Sequence, residues 1–100
     1  MKAFLINPEE QSIEVIEINS HDDIIKIIGF DTVMSDEIGS DDHLFFDEEC
    51  FLRGTVGRFQ IDNLIPVSGK GVIVGIQNED SSLSDVVTDI ANLKSRIKYL

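Results

Sequence analysis

One hundred residues, 42% of them hydrophobic, with a single cysteine and a net charge of −11, describe one domain (residues 1–100) that can bury a core without disulfides. The charge is uneven: residues 1–50 hold 14 acids against Lys2 and Lys26, a net −12, whereas residues 51–100 hold five acids against six cations, a net +1. A field of this sign repels phosphate backbones and anionic lipid surfaces, which disfavours direct nucleic-acid or membrane binding and favours a basic protein partner.

The chain opens with the apolar run Lys2 to Ile6, stopped by Asn7-Pro8-Glu9-Glu10. That run is too short for a signal-peptide core or a membrane span, and it reads as a strand ending in a turn. Together with the lone Cys50 this places the expected home of the protein in the reducing cytoplasm. Ser12 to Ile18 reads as the returning strand, with a phase slip at Val15-Ile16 that suggests a bulge. Ser20 and Asp23 form a Ser-x-x-Asp capping pattern, which predicts a short helix through Ile24, Ile25, Ile27 and Ile28, closed by Gly29. Phe30 to Met34 and His43 to Asp47 read as a second hairpin about the turn formers Gly39-Ser40-Asp41-Asp42.

Arg58 to Ile61 is a short alternating stretch, and Pro66 confines Leu64 to Val67 to an edge or a loop. Val72 to Ile76 is continuously apolar, which predicts a central strand buried on both faces. From Ser82 a second Ser-x-x-Asp pattern, with Lys94, Arg96 and Lys98 toward the far end, predicts a longer C-terminal helix. Its apolar residues Leu83, Val86, Ile90, Leu93 and Ile97 fall on a heptad, a seam that would serve either the protein's own sheet or a homodimer. The expected fold is α+β: a mainly antiparallel sheet of four to five strands, a short helix after the second strand, and the C-terminal helix packed on the sheet.

Chemistry-bearing patterns are few. Gly69-Lys70-Gly71 lacks both the leading glycine and the following hydroxyl of a phosphate-binding loop, and reads as a turn. His21-Asp22-Asp23 and Asp41-Asp42-His43 mix metal-ligand types, but neighbouring residues seldom point at one ion. Cys50 stands beside Asp47, Glu48 and Glu49, whose charge suppresses a thiolate. No catalytic constellation, cofactor motif or metal motif emerges, and a non-enzymatic protein is expected.

Several segments taken in order resemble a known family. These are the Met-Lys-x-x-Leu-Ile-x-Pro start, Glu17-Ile18 before the short helix, Ile28-Gly29 at its end, Phe46-Asp47-Glu48-Glu49-Cys50-Phe51-Leu52-Arg53-Gly54, and Gly69-Lys70-Gly71-Val72-Ile73-Val74-Gly75. Over Met1 to Gly75, about three quarters of the chain, this resembles a family of small phage, plasmid and bacterial proteins of unknown function. Cys50 replaces a usual glycine, and Gly57-Arg58-Phe59-Gln60 replaces an Asn-rich loop. The resemblance implies a mobile-element context and carries over no catalytic or binding residue.

Three functional expectations follow. Between Lys26 and Arg53 no cation interrupts eight carboxylates interleaved with apolar residues, a folded acidic surface suited to a basic partner. Its candidate contacts are Asp36, Glu37, Asp41, Asp42, Asp47 and Glu48. In a mobile element, its sharpest form is an inhibitor or decoy of a basic nucleic-acid-binding host complex, with carboxylates standing in for phosphates. The alternative is a small-ligand module for an anionic metabolite or nucleotide, held by Arg53, Arg58 and Lys70. The plainest outcome is a soluble domain with no separable site, its charge serving solubility alone.

Overall fold

In a computed structural model of the chain, residues 1–39, 41–77, 79–80 and 82–100 are described. Ser40, in the predicted turn of the second hairpin, lies outside them. The fold is α+β, as the sequence predicts. Five strands form an antiparallel sheet in the order β2-β1-β7-β4-β3, made of β1 (Lys2–Asn7), β2 (Ser12–Glu17), β3 (Val33–Gly39), β4 (Asp42–Asp47) and β7 (Gly71–Ile76). A two-residue strand, β8 (Leu83–Ser84), pairs with the end of β7. A second sheet has the order β6-β5-β9, from β5 (Arg58–Ile61), β6 (Val67–Ser68) and β9 (Ile97–Tyr99). Helices α1 (His21–Ile28) and α2 (Ile90–Arg96) and a 3-10 turn at Cys50–Leu52 are the remaining elements.

β7 is the expected central strand. Its alternate residues enter two cores: Val72 and Val74 meet Ala3, Phe45, Ile24 and Ile28 on the α1 side. Ile73 meets Phe4, Leu44, Phe59, Ile61 and Leu93 on the side of the second sheet and α2. Gly71 has no side chain because a Cβ there would stand 2.7 Å from the Phe59 ring and 3.0 Å from Leu44. The layers are therefore helix, five-stranded sheet, then the small sheet with α2.

Besides β3, which runs Val33–Gly39 where Phe30 to Met34 is expected, three local expectations change. β2 pairs with β1 in unbroken register from Lys2↔Glu17 to Asn7↔Ser12, so there is no bulge at Val15-Ile16; as an edge strand β2 leaves Val15 exposed without a shift of phase. At the start of α1 the Ser20 hydroxyl makes no cap bond. Instead the Asp23 carboxylate reaches back to accept the Asn19 N–H at 2.7 Å. Gly29 does close α1, with φ 91° and its N–H on the Ile25 carbonyl at 2.8 Å.

The third change concerns the C-terminus, where the helix begins at Ile90 rather than Ser82 and is only seven residues long. Residues 82–89 are not helical: Leu83 pairs with Ile76, the Lys2 N–H reaches Asp85 Oδ1 at 2.9 Å, and the Val86 N–H reaches the Lys2 carbonyl. Backbone groups spent on the sheet are unavailable to a helix. The heptad therefore divides among elements, with Leu83 in β8, Val86 in a connecting segment, Ile90 and Leu93 in α2, and Ile97 in β9. It is not one helical seam, and Val86 and Leu93 are buried in the protein's own core. Because Leu93 is fully enclosed, Leu93→Ala is expected to lower unfolding stability by about 3 kcal/mol; Val87→Ala, at an exposed position, should stay within about 0.5 kcal/mol in the same urea titration.

Candidate functional site

The six candidate acids do not share a surface. Asp42 is completely buried. Its two oxygens accept the Val87 and Thr88 N–H groups at 2.9 and 2.6 Å, so it anchors the segment leading to α2. A carboxylate satisfied by backbone donors is tolerated in a core. Asp47 is also buried, only 3% exposed. It accepts from the Thr32 hydroxyl, from the Glu49 N–H at 3.0 Å and from Arg53 Nε at 3.0 Å. Both are withdrawn from any docking surface by the internal bonds they make.

The other four acids stay near the surface, on different sides. The registers Ser35↔Phe45 and Glu37↔His43 place Glu37 on the α1 face of the sheet, whereas Asp36↔Leu44 places Asp36 on the opposite face. Glu37, Asp41 and Glu48 are exposed and Asp36 is half-buried. Neither Asp36 nor Glu37 forms an ion pair among the described residues. Both lie on β3, whose outer side has no neighbouring strand among the described residues.

The three candidate cations also diverge. Arg53 is consumed at the Asp47 node, where Nη2 donates to Thr32 Oγ1 at 2.9 Å and to Glu49 at 3.2 Å, and the guanidinium lies 4.3 Å from the Phe30 ring centre. This ties the turn at Cys50–Leu52 to the chain entering β3. Arg58 lies 5.1 Å from the Phe51 ring. Lys70 alone lines a recess of about 480 Å³ with Asn7, Glu9, Ile27, Phe30 and Val56; neither arginine reaches it.

Sequence reasoning missed Arg96 and Asp62. Arg96 Nε donates to both Asp62 oxygens at 3.1 Å, and its Nη2 donates to the Ile38 carbonyl at 2.6 Å at the far end of β3. Hydrogen bonding from Arg96 holds the Asp62 carboxyl below its usual range. Thirty-four residues separate the pair, so no local pattern could have revealed it. Cys50 is buried in the core opposite α1, with its sulfur 3.4 Å from the Ser68 N–H. His21 packs edge-on to Phe45 on the α1 side, so the thiol and this imidazole are separated by the sheet.

No group of three or more potential metal ligands occurs among the described residues, and no helix among them is long and apolar enough to cross a membrane. No family model, curated protein or solved structure matches the chain.

Two measurements follow from the buried carboxylates. Asp42→Ala would orphan two backbone N–H groups and is expected to cost about 3 kcal/mol in chemical denaturation, against near zero for Glu48→Ala. At Asp47, burial pushes the carboxyl up, but the bonds from Thr32, Glu49 and Arg53 outweigh it and hold the group below its usual value. A depressed folded pKa contributes stability above the unfolded value of about 3.9, and that stability is lost as pH falls through the lower folded pKa. Stability should therefore drop on acidification below about pH 4, and Asp47→Asn should flatten that part of the curve.

Proposed function

We propose that the protein is a non-enzymatic docking module whose acidic β3 edge engages a basic protein partner. One observation carries the reading: Asp36 and Glu37 stand on an open sheet edge with no ion pair among the described residues, while Arg53 and Arg96 are held by Asp47, Glu49 and Asp62. Exposed Asp31, Asp41 and Glu48 extend the negative field around that edge. Complementary charge of this kind accelerates encounter and selects partners more than it adds raw affinity.

If the resemblance to phage and plasmid proteins reflects kinship, the partner is a basic nucleic-acid-binding complex of the host, and the cytoplasm is where the two meet. The expected result is capture of such a complex on the immobilised full chain, weakening steeply from low to high salt and lost on Asp36→Lys combined with Glu37→Lys. Capture indifferent to salt and to the double substitution would overturn the reading.

The recess at Lys70 supports a second reading, binding of a small anion with an apolar body against Ile27, Phe30 and Val56. A thermal-shift series with nucleotides at high salt separates the two, since stabilisation lost on Lys70→Ala would favour the ligand module.

A further inference from the structure

The split of Asp36 and Glu37 onto opposite faces rules out one flat acidic surface containing both, yet suits an extended strand, which reads both faces of an edge. We propose that β3 takes up its basic partner by strand addition, pairing with an extended segment that carries two consecutive Lys or Arg residues. This rests on the docking reading above and names its geometry.

The backbone is arranged for it. The Glu48 N–H donates to the Thr32 carbonyl at 2.7 Å, and the register runs on through Val33↔Asp47, Met34↔Phe46, Ser35↔Phe45, Asp36↔Leu44 and Glu37↔His43. Hydrogen-bonded and non-hydrogen-bonded pairs alternate in an antiparallel ladder. Met34 and Asp36 therefore bond to β4, and Val33, Ser35 and Glu37 turn their N–H and C=O groups outward. None of these outward groups meets a partner among the described residues. Past Glu37 the register shifts and Arg96 occupies the Ile38 carbonyl, which ends the open stretch.

An incoming strand places successive side chains on opposite faces. The residue opposite Asp36 and its immediate neighbour opposite Glu37 would each stand within cross-strand reach of one carboxylate, about 5 Å between Cβ atoms. Two positions from the cation facing Asp36, an apolar residue would cover Met34, which is 39% exposed. Read antiparallel, the recognised segment is cation, cation, any residue, apolar. A second copy of this chain is a poor occupant, since like charges repel across paired strands. The other open edge, β2, spaces Glu14 and Glu17 three apart and shares a recess with Lys94 through Ser12 and Ile13. It lacks the adjacent pair of acids.

The test uses the full chain and three synthetic peptides at low salt: Thr-Lys-Arg-Thr-Leu-Thr-Val, an isomer with the cations separated by one residue, and the first peptide N-methylated at Lys and at the Thr two positions after it. The first peptide should bind, slow amide exchange at Val33, Ser35 and Glu37, and exceed the isomer by about fivefold, the worth of one cross-strand charge pair. N-methylation should abolish binding, because it removes strand donors and keeps the charge. Ser35→Pro, whose lost N–H points outward and is tolerated on an edge, should do the same while leaving the circular dichroism unchanged; if it disturbs β3, the N-methylated peptide on the unaltered chain decides alone.

Equal binding of the N-methylated peptide, with loss on Asp36→Asn or Glu37→Gln, would overturn strand addition and leave docking standing. Failure of the first peptide while a basic protein still binds in a salt-sensitive manner would do likewise. Self-association through β3 without peptide would overturn it in favour of a second copy, and failure of every basic probe would remove both readings.

Discussion

Because β7 lies between β1 and β4 and sends alternate side chains into two separate cores, the hairpins β1-β2 and β3-β4 join one sheet only through it. Its continuous apolar character follows from that position. A strand buried on both faces has no polar phase, and Gly71 marks the point where a ring from the small sheet comes too close for a side chain. The α1 layer and the second-sheet layer each need the face that β7 presents to them. Neither core could be closed by one hairpin alone, since two strands supply too narrow an apolar face.

The acidic half of the chain thus has two populations of carboxylate with opposite roles. Asp42 and Asp47 work inward: one captures two N–H groups of a distant segment, and the other gathers Thr32, Glu49 and Arg53 into a node beside Phe30. Asp36 and Glu37 lie on an edge strand. Charges on an open edge discourage indiscriminate pairing between sheets, so the feature that would select a basic segment also rejects neutral strands.

The parts of the fold legible in the sequence were those governed by local pattern. The run Val72 to Ile76 announced a central strand, Gly29 a helix end, and the turn formers after Ile38 a hairpin. The strand expected over Phe30 to Met34 runs instead from Val33 to Gly39: Ser35, Asp36 and Glu37 look polar, but an edge strand needs few apolar residues to stay paired. The C-terminal helix is shorter than its pattern suggests for the reverse reason: the heptad from Leu83 to Ile97 is real in spacing, but Asp42 takes the N–H groups of Val87 and Thr88 from 45 and 46 residues away. Within the candidate site the same limit applied. Asp41 and Asp42 are adjacent and chemically identical, and the sequence assigns both to the turn before His43; the strand in fact begins at Asp42, which is buried, while Asp41 stays in the exposed turn. Arg53 looked like a free cation until the fold brought Asp47 and Phe30 beneath it.

The central position of β7 also bears on how the chain is made. Its residues follow both hairpins in the sequence, so during synthesis β1-β2 and β3-β4 leave the ribosome before the strand that unites them exists. Each then has two open edges and an apolar face, the condition under which nascent chains associate wrongly. The first fifty residues carry a net −12 against −11 for the whole chain, and like charge of that size opposes association of neighbouring nascent chains before residues 71–76 emerge.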